Sequence, residues 1–542
     1  MRKISTSFIL LCIVAVGLFV RVWQVGEIPP SLSWDEVSIG YNAYSILKTG
    51  KDEHGRFLPY DTFAAFGDYK PPVAIYATVP FVALFGLNEA AVRLPSALAG
   101  TLAILLTYLV IFELTKNKNL SLLAAGLFAI SPWNVQLSRA MFEANIALML
   151  TLLGSYILLR ARTRPGLFIV SFLPFAAAIY TFNSSRVFVP LLVAGLLWYE
   201  RSALRIHTRQ LLVGAAIGAL ALLPTVPHLT SVQSRLRFEE VNIFTDSSVV
   251  TQSNKRIEVD KDTWWAKILH NRRLGYAKSF LIHFFDNLEP QFLFTRGDGN
   301  PKFSIQDVGE LYIIELPFFV IGVFWLFRKN RAIAWLAVFW IVSAIIPAAT
   351  ARETPHALRI ENSLPMWQLF TAFGILAVIE NQKKKISKKL LVMAIILLYV
   401  GNISFYLHNY YNHYASEYSG EWQWGYREAV RYVNTIKSKY STVVMDDNIG
   451  RPYIYVLFYE KYDPKKFQET ANWSTDSAGF YHILNIDNYQ FTDTSPSFQN
   501  NTLYVLRPGF VPENAHVLET IRLLNGSSVL VIFDITNPVK KL

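Results

Sequence analysis

The chain has 542 residues, of which 52% are hydrophobic and only 17% charged, with a mean hydropathy of +0.28. A typical soluble domain carries about 25% charged residues, so an ordinary soluble enzyme and a disordered chain are excluded, and a polytopic membrane protein remains. The net charge of +11 does not indicate a nucleic-acid binder, because Lys and Arg cluster between apolar runs, the pattern of cytoplasmic anchoring. The single cysteine, Cys12, lies inside the first apolar run, which leaves no internal disulfide and no cysteine metal cluster.

Residues 4–20 are uncharged behind Arg2 and Lys3 and continue to Arg21 without a small-residue cleavage site. They read as an uncleaved first span with its N-terminus inside. Ser33 followed three residues later by Glu36 is a capping box, opening a helix that ends near Gly50. Residues 71–88 are uncharged but begin with Pro71-Pro72 and are broken by Pro80 and Gly86. Further apolar runs lie at about 93–113, 119–137, 144–159, 166–182, 187–199, 210–227, 310–327, 332–350, 362–380 and 390–407. Each approaches the roughly 20 residues that cross a bilayer core, although 187–199 is short.

The status of 71–88 sets the side of every later loop. If it does not cross, eighteen Lys and Arg fall inside, and the short outer loops hold only Arg139, Arg186, Arg352 and Arg359. The positive-inside rule favours that parity. About eleven helices then cross, and 71–88 is a juxtamembrane or re-entrant helix on the outer side. Loops 24–92 and 228–309 face outside, the second with a basic, aromatic stretch at 264–285 suited to the interface. From about 409 the chain alternates a helix-spaced stretch through Ile436 with strand candidates at Thr442–Met445, Leu503–Leu506 and Val529–Ile532. The expected architecture is a transmembrane domain at 1–408 and an extracytoplasmic α/β domain at 409–542.

The residues able to do chemistry gather on the outer side under this parity. Asp35 and Glu36 follow Trp34 just beyond the first span. Glu36 has two readings, helix cap or acid–base group, and Asp35 either favours the helix dipole or serves as a general base. Lys70, beside Asp68 and Tyr69, either snorkels or binds a phosphate at the membrane surface. Arg139 and Glu143 stand four apart, as a helix-surface pair or as site residues. Arg186, His356 and Arg359 share their side. The spans are nearly free of charge, which argues against an ion-coupled transporter. No nucleotide loop or hydrolase motif stands in a usable context. Spacing supports no metal site, although Glu143 with His270 or His283 would supply ligands.

In order along the chain come Trp34-Asp35-Glu36, Asp68-Tyr69-Lys70-Pro71-Pro72, Phe85-Gly86, Arg93-Leu94-Pro95-Ser96, and Ser131-Pro132 followed by Glu143. This set resembles the GT-C membrane glycosyltransferases, and more closely the bacterial protein-mannosyltransferase-like group that includes the lipid A aminoarabinose transferases. The likeness covers roughly residues 1–410. It implies an inverting transferase that moves a sugar from a polyprenyl-phosphate donor to a lipid, glycan or protein acceptor on the outer face of a cell membrane. Asp35, with Glu36 beside it, matches the family's acidic position in the first outer loop, and Lys70 the lysine that holds the donor phosphate. Arg139, Arg186 and Arg359 are further candidates for that phosphate. Glu143 stands where relatives carry an Asp, with Asp68, Tyr69 and His356 as other active-site positions. Aminoarabinose transferases carry a metal-binding Glu directly before the Lys. Tyr69 takes that place here, so a divalent metal is an open question. The rival readings are a lipid-linked saccharide flippase or transporter and a non-catalytic scaffold that presents the C-terminal domain.

Overall fold

The computed structural model describes residues 5–66, 68–204, 206–231, 241–447, 449–475 and 481–535. Arg2, Lys3 and Arg205 of the inner basic set, and residues 232–240 of the second loop, lie outside the described residues. The chain forms two compact units: residues 1–21, 98–138 and 142–407, and residues 22–97, 139–141 and 408–542. The second unit therefore joins the whole first loop to the C-terminal region, a grouping that composition alone does not suggest.

The first unit is helical. Among the described residues of the whole chain, six helices are long and apolar enough to cross a membrane. A seventh candidate is the pair Lys118–Ile130 and Pro132–Ser138, bent by 55°. Pro132 causes the break, because it has no N–H to continue the ladder. Four shorter apolar helices, among them α1 (Thr6–Val22), Pro165–Ile179 and Ser185–Tyr199, coincide with other apolar runs of the sequence. Glycines set the closest helix contacts. A Cβ on Gly322 would lie 1.8 Å from the Phe370 carbonyl oxygen, and one on Gly374 1.8 Å from that of Phe318. Helices Glu315–Lys329 and Leu364–Glu380 thus touch backbone to backbone, which only small residues allow.

A buried polar node ties this unit together. The Arg21 guanidinium donates to the carbonyls of Gly17 and Ala129 at 2.9 Å and to Asn134 Oδ1 at 2.7 Å. Asn134 Nδ2 donates in turn to Asn145 Oδ1 at 3.0 Å and Glu361 Oε1 at 3.1 Å. A charge in an apolar interior costs several kcal/mol unless it is paired and hydrogen-bonded, and these contacts meet that cost.

The second unit begins with α2 (Trp34–Thr49). Gly50 stops this helix at φ 68°, donating its N–H to the Ile46 carbonyl at 2.9 Å. A hairpin follows, β1 (Phe63–Ala65) and β2 (Asp68–Lys70), with Phe63 opposite Lys70. Pro71 is extended and has no N–H, so it ends the strand, and Pro72 opens α3 (Pro72–Phe85) at the position where a helix tolerates proline. Its 14 residues rise about 21 Å, less than a bilayer core of about 30 Å. Helix α4 (Glu89–Thr115) then enters the first unit.

The C-terminal part holds a seven-stranded sheet of order β4-β5-β6-β3-β7-β9-β8. The strands are β3 (Thr442–Asp446), β4 (Asn472–Thr475), β5 (Tyr481–Ile486), β6 (Tyr489–Thr492), β7 (Thr502–Leu506), β8 (His516–Arg522) and β9 (Ser528–Asp534). The central strand β3 runs parallel to β6 and β7, and the other pairs are antiparallel. The three strands legible in the sequence, β3, β7 and β9, carry dense apolar runs. The four that were not legible are more polar or more exposed. Helices Pro452–Tyr459 and Pro464–Thr470 connect β3 to β4 and pack on α2. Gly40 makes room there, since its Cβ would lie 2.7 Å from the Phe458 ring.

Candidate active site

Helix α2 presents two neighbouring acids to opposite environments. Ser33 Oγ accepts the Glu36 N–H, and the Ser33 N–H donates to Glu36 Oε2 at 3.0 Å, which completes the capping box. Glu36 is also ion-paired with Arg93 (Nε to Oε1, 2.8 Å), and both side chains are 0% exposed. The Met141 N–H donates to Glu36 Oε1 at 3.0 Å. Arg93 spends its remaining N–H groups on the carbonyls of Val25, Pro29 and Ser31. Both groups are saturated, so Glu36 fixes the start of α2 and the chain on either side of it.

Asp35, one residue earlier, points elsewhere. Its Oδ1 accepts from Lys70 Nζ at 2.6 Å, with the Lys70 side chain 6% and the Asp35 side chain 47% exposed. The lysine is buried, and the carboxylate keeps an open side. The acid and the cation that the sequence singled out, 35 residues apart, therefore form one polar pair. Tyr69 lies opposite Ala64 in the hairpin. Asp68 is opposite Ala65, and its side chain lies outside the described residues.

Beneath this pair lies an acid the sequence reading passed over. Glu53 follows the helix stop at Gly50 within the run Asp52-Glu53-His54. Burial pushes its carboxyl up to about 8, against the opposing field of Lys70, and burial pushes the neighbouring His54 down to about 4. Three titratable residues in a row after a helix-ending glycine were the available signal. Arg139, a phosphate candidate from its position, is fully buried. It donates to Tyr410 Oη at 2.9 Å and to the Ile28 carbonyl at 3.0 Å, and lies over the rings of Tyr410 and Tyr411. Arg139 and Glu143 do not share one helix surface, because the chain breaks between helices Pro132–Ser138 and Glu143–Ala161.

The remaining candidates belong to the first unit. Glu143 is the half-buried first residue of helix Glu143–Ala161, and Arg186 is half-buried near the start of helix Ser185–Tyr199. Arg359 donates to the Glu353 carbonyl at 3.3 Å. His356 is buried against Phe303, with ring centroids 5.0 Å apart, and its Nδ1 is 3.9 Å from Asp298 Oδ2. Asp298 accepts the Ala357 N–H at 2.7 Å and the Asn300 N–H at 2.8 Å. Burial nevertheless raises its carboxyl to about 6, raises Glu310 as well, and lowers His356.

With this geometry in hand, the relatives can be compared. A family model described as dolichyl-phosphate-mannose-protein mannosyltransferase matches residues 11–184. That segment contains the Asp35–Lys70 pair, the Glu36–Arg93 pair and Glu143. No curated protein matches by sequence. Among solved structures, ArnT from Cupriavidus metallidurans bound to undecaprenyl phosphate superposes with a TM-score of 0.53 at 14% identity, covering 98% of each chain. Its apo state gives 0.52 at 13% identity, over 97% of each chain. The Archaeoglobus fulgidus oligosaccharyltransferase tethered to an acceptor peptide gives 0.51 at 13% identity, over 85% of this chain and 63% of that one. The family model thus covers the first third of the chain, and the solved structures share its fold.

The ArnT coverage extends the likeness past the region near residue 410 where the sequence resemblance ended, and takes in the C-terminal sheet. A divalent metal fits these residues poorly. Among the described residues no group of three His, Cys, Asp or Glu side chains is placed to hold one. His270 pairs with Asp260 at 2.9 Å, and His283 Nδ1 lies 2.8 Å from the Ala351 carbonyl oxygen, so both histidines considered as partners of Glu143 are engaged elsewhere. No step below passes through a metal.

Proposed function

We propose that the protein transfers a sugar, with inversion, from a polyprenyl-phosphate donor to a hydroxyl-bearing acceptor on the outer face of the cell membrane. The observation that carries this reading is the Lys70–Asp35 pair, an enclosed cation against a half-open carboxylate at the foot of the apolar helix α3. The donor's lipid runs along apolar helix surface, and its phosphate replaces one side of the contact that Asp35 makes with Lys70. Undecaprenyl phosphate in the ArnT structure of the same fold supports a donor of this class.

The chemistry then needs little else. An acceptor hydroxyl attacks the anomeric carbon and its proton passes to the Asp35 carboxylate. The bond from the anomeric carbon to the phosphate oxygen breaks, with its electron pair leaving on the lipid phosphate. Lys70 stabilises the charge that grows there. Glu36 holds Asp35 in place through the cap and through Arg93. Arg139 acts the same way, fixing the chain at 139–141 while its charge faces tyrosine rings.

The test is purified full-length protein incubated with a panel of radiolabelled polyprenyl-phosphate sugars, following release of the lipid phosphate. At least one sugar lipid should turn over, and Asp35→Asn should lower that turnover by about 10²–10⁴ while bound undecaprenyl phosphate is retained. Failure of the wild-type protein to bind any polyprenyl phosphate would refute the reading.

A further inference from the structure

The C-terminal sheet brings its own polar edge to the residues beside Asp35. The three parallel strands stand in the order β6-β3-β7, so the chain leaves the central strand to one side and returns on the other. In parallel sheets of this order, ligands are held outside the carboxyl ends of the strands at the point of reversal. Here the end of β3 continues into Asp447, Gly450 and Arg451, within the same compact unit as α2 and the hairpin.

Two contacts join that edge to the site already described. Gly450 has φ +118°, and a Cβ on it would lie 2.6 Å from Cζ3 of Trp34, so the loop backbone lies directly on the indole. Trp34 immediately precedes Asp35. Arg451 adopts the left-handed conformation (φ 54°, ψ 52°) at the start of helix Pro452–Tyr459, without capping it through its side chain. Its guanidinium lies 5.5 Å from the ring centre of Phe66. Phe66 also has positive φ (59°) and sits at the turn of the hairpin that delivers Lys70, its ring braced against Tyr453 at 5.9 Å. Two bulky residues held in a backbone region that favours glycine, and facing each other, mark a place where the fold maintains strain. The Arg451 backbone N–H also donates to the Asp447 carboxylate, so an acidic and a basic residue stand together at this edge.

We infer that Asp447, Gly450 and Arg451, with Trp34 and Phe66, form a subsite that reads the sugar carried on the donor phosphate, and that Arg451 determines which sugar is preferred. The inference rests on the donor class proposed above. A carboxylate and a guanidinium over aromatic rings match the hydroxyls and apolar face of a neutral sugar ring. The surroundings carry both signs of charge, with Arg451 and His482 beside Asp447 and Asp493, as a polar but neutral ligand requires. The neighbouring element of the sheet is already committed: Arg507, at the end of β7, pairs with the buried Asp446 at 3.1 Å.

The experiment uses the full chain in nanodiscs and measures competitive binding of bare undecaprenyl phosphate and of undecaprenyl phosphates carrying single neutral hexoses. Wild-type protein should prefer at least one sugar lipid over the bare lipid by about tenfold, the scale of one or two net hydrogen bonds. Arg451→Ala should erase that preference while bare-lipid binding is unchanged, which also reports that the variant is folded. Arg451→Lys, which keeps the charge but not the planar fork, should restore part of it. The inference is overturned if Arg451→Ala keeps the preference, if it weakens bare and sugar-bearing lipids equally, or if wild-type protein prefers no hexose in the panel. Absence of all polyprenyl-phosphate binding in the wild type would instead sink the donor reading itself.

Discussion

The segment from α2 to α3 and the cluster of Asp298, Glu310 and His356 both bring acids and a basic side chain together, yet they dispose of charge differently. In the first, Lys70 is enclosed and Asp35 is half-exposed, and one ammonium–carboxylate contact of 2.6 Å joins them. In the second, Asp298, Glu310 and His356 are all buried, and the Asp298 oxygens accept backbone N–H groups. Asp298 clasps the loop to the start of the helix at Ala357. A charged group with an open side can exchange its partner for a substrate. One whose lone pairs are filled by backbone holds the chain. The same contrast separates Asp35 from Glu36 within a single helical turn.

The sharpest break of that comparison is Asp35→Asn. Asn matches Asp in size and can still accept from Lys70, but it cannot take up a proton. Turnover of the sugar lipid should fall by about 10²–10⁴, the cost of losing a general base. Lys70→Ala should weaken undecaprenyl phosphate binding and slow turnover together, because it removes the cation at the leaving phosphate. Near-normal turnover in Asp35→Asn would move the base to another residue.

Glu36→Gln probes the other half of the turn and should act on stability. Gln satisfies the capping box, but it leaves the Arg93 guanidinium buried without its counter-charge. Removing one partner of a buried pair costs about 3–5 kcal/mol. The thermal unfolding midpoint should drop steeply, while the protein that remains folded turns over at close to the wild-type rate. A variant of full thermal stability but no activity would make Glu36 a chemical group.

The sequence carried more of this contrast than of the fold around it. Asp35, Lys70 and the capping box at Ser33–Glu36 were legible because local spacing and order encode them. The apolar runs were legible because a bilayer-length stretch of uncharged residues is a strong pattern. The partner of Glu36 was not, although Arg93 opens an otherwise apolar run, because a pair 57 residues apart leaves no periodicity. Arg139 looked free for phosphate because its partners, Tyr410 and Ile28, come from distant parts of the chain. Strands β4, β5, β6 and β8 escaped notice because edge and mixed positions alternate weakly, so their β character comes from neighbours. The union of residues 22–97 with 408–542 is a tertiary fact with no local signature.

Gly322→Ala tests the helical unit at a smaller scale. The added methyl meets the Phe370 carbonyl oxygen and forces helices Glu315–Lys329 and Leu364–Glu380 apart. Overpacking of this kind costs about 1–3 kcal/mol. Gly374→Ala strains the same contact from the other side, so the double variant should lose less than the two losses added together. Additive losses in thermal unfolding would show that the two glycines act at separate places.

At acid pH the smallest effect is expected from Asp298→Asn, and its drift with pH makes it informative. Burial raises the Asp298 carboxyl from an ordinary value of 3.8 to about 6. The folded chain therefore binds this proton more tightly than the unfolded one. The contribution to stability is complete below the unfolded value and is lost as pH rises through the folded value. Asn cannot titrate, so the difference in unfolding midpoint between variant and wild type should drift in favour of the variant as pH rises from about 4 to about 6. The substitution also removes one of two side-chain acceptors, since the Asn carbonyl can serve the Ala357 N–H or the Asn300 N–H but replaces only one carboxylate oxygen. That loss is about 1 kcal/mol and independent of pH, so near neutrality it offsets part of the gain from removing a buried charge. Glu310 also has a raised carboxyl and titrates in both proteins, so only the difference between the two pH curves isolates Asp298. Parallel curves across the whole interval would mean that Asp298 keeps an ordinary carboxyl. The clasp at Ala357 would then be as open to water as the carboxylate of Asp35, and the contrast between the two segments would fail.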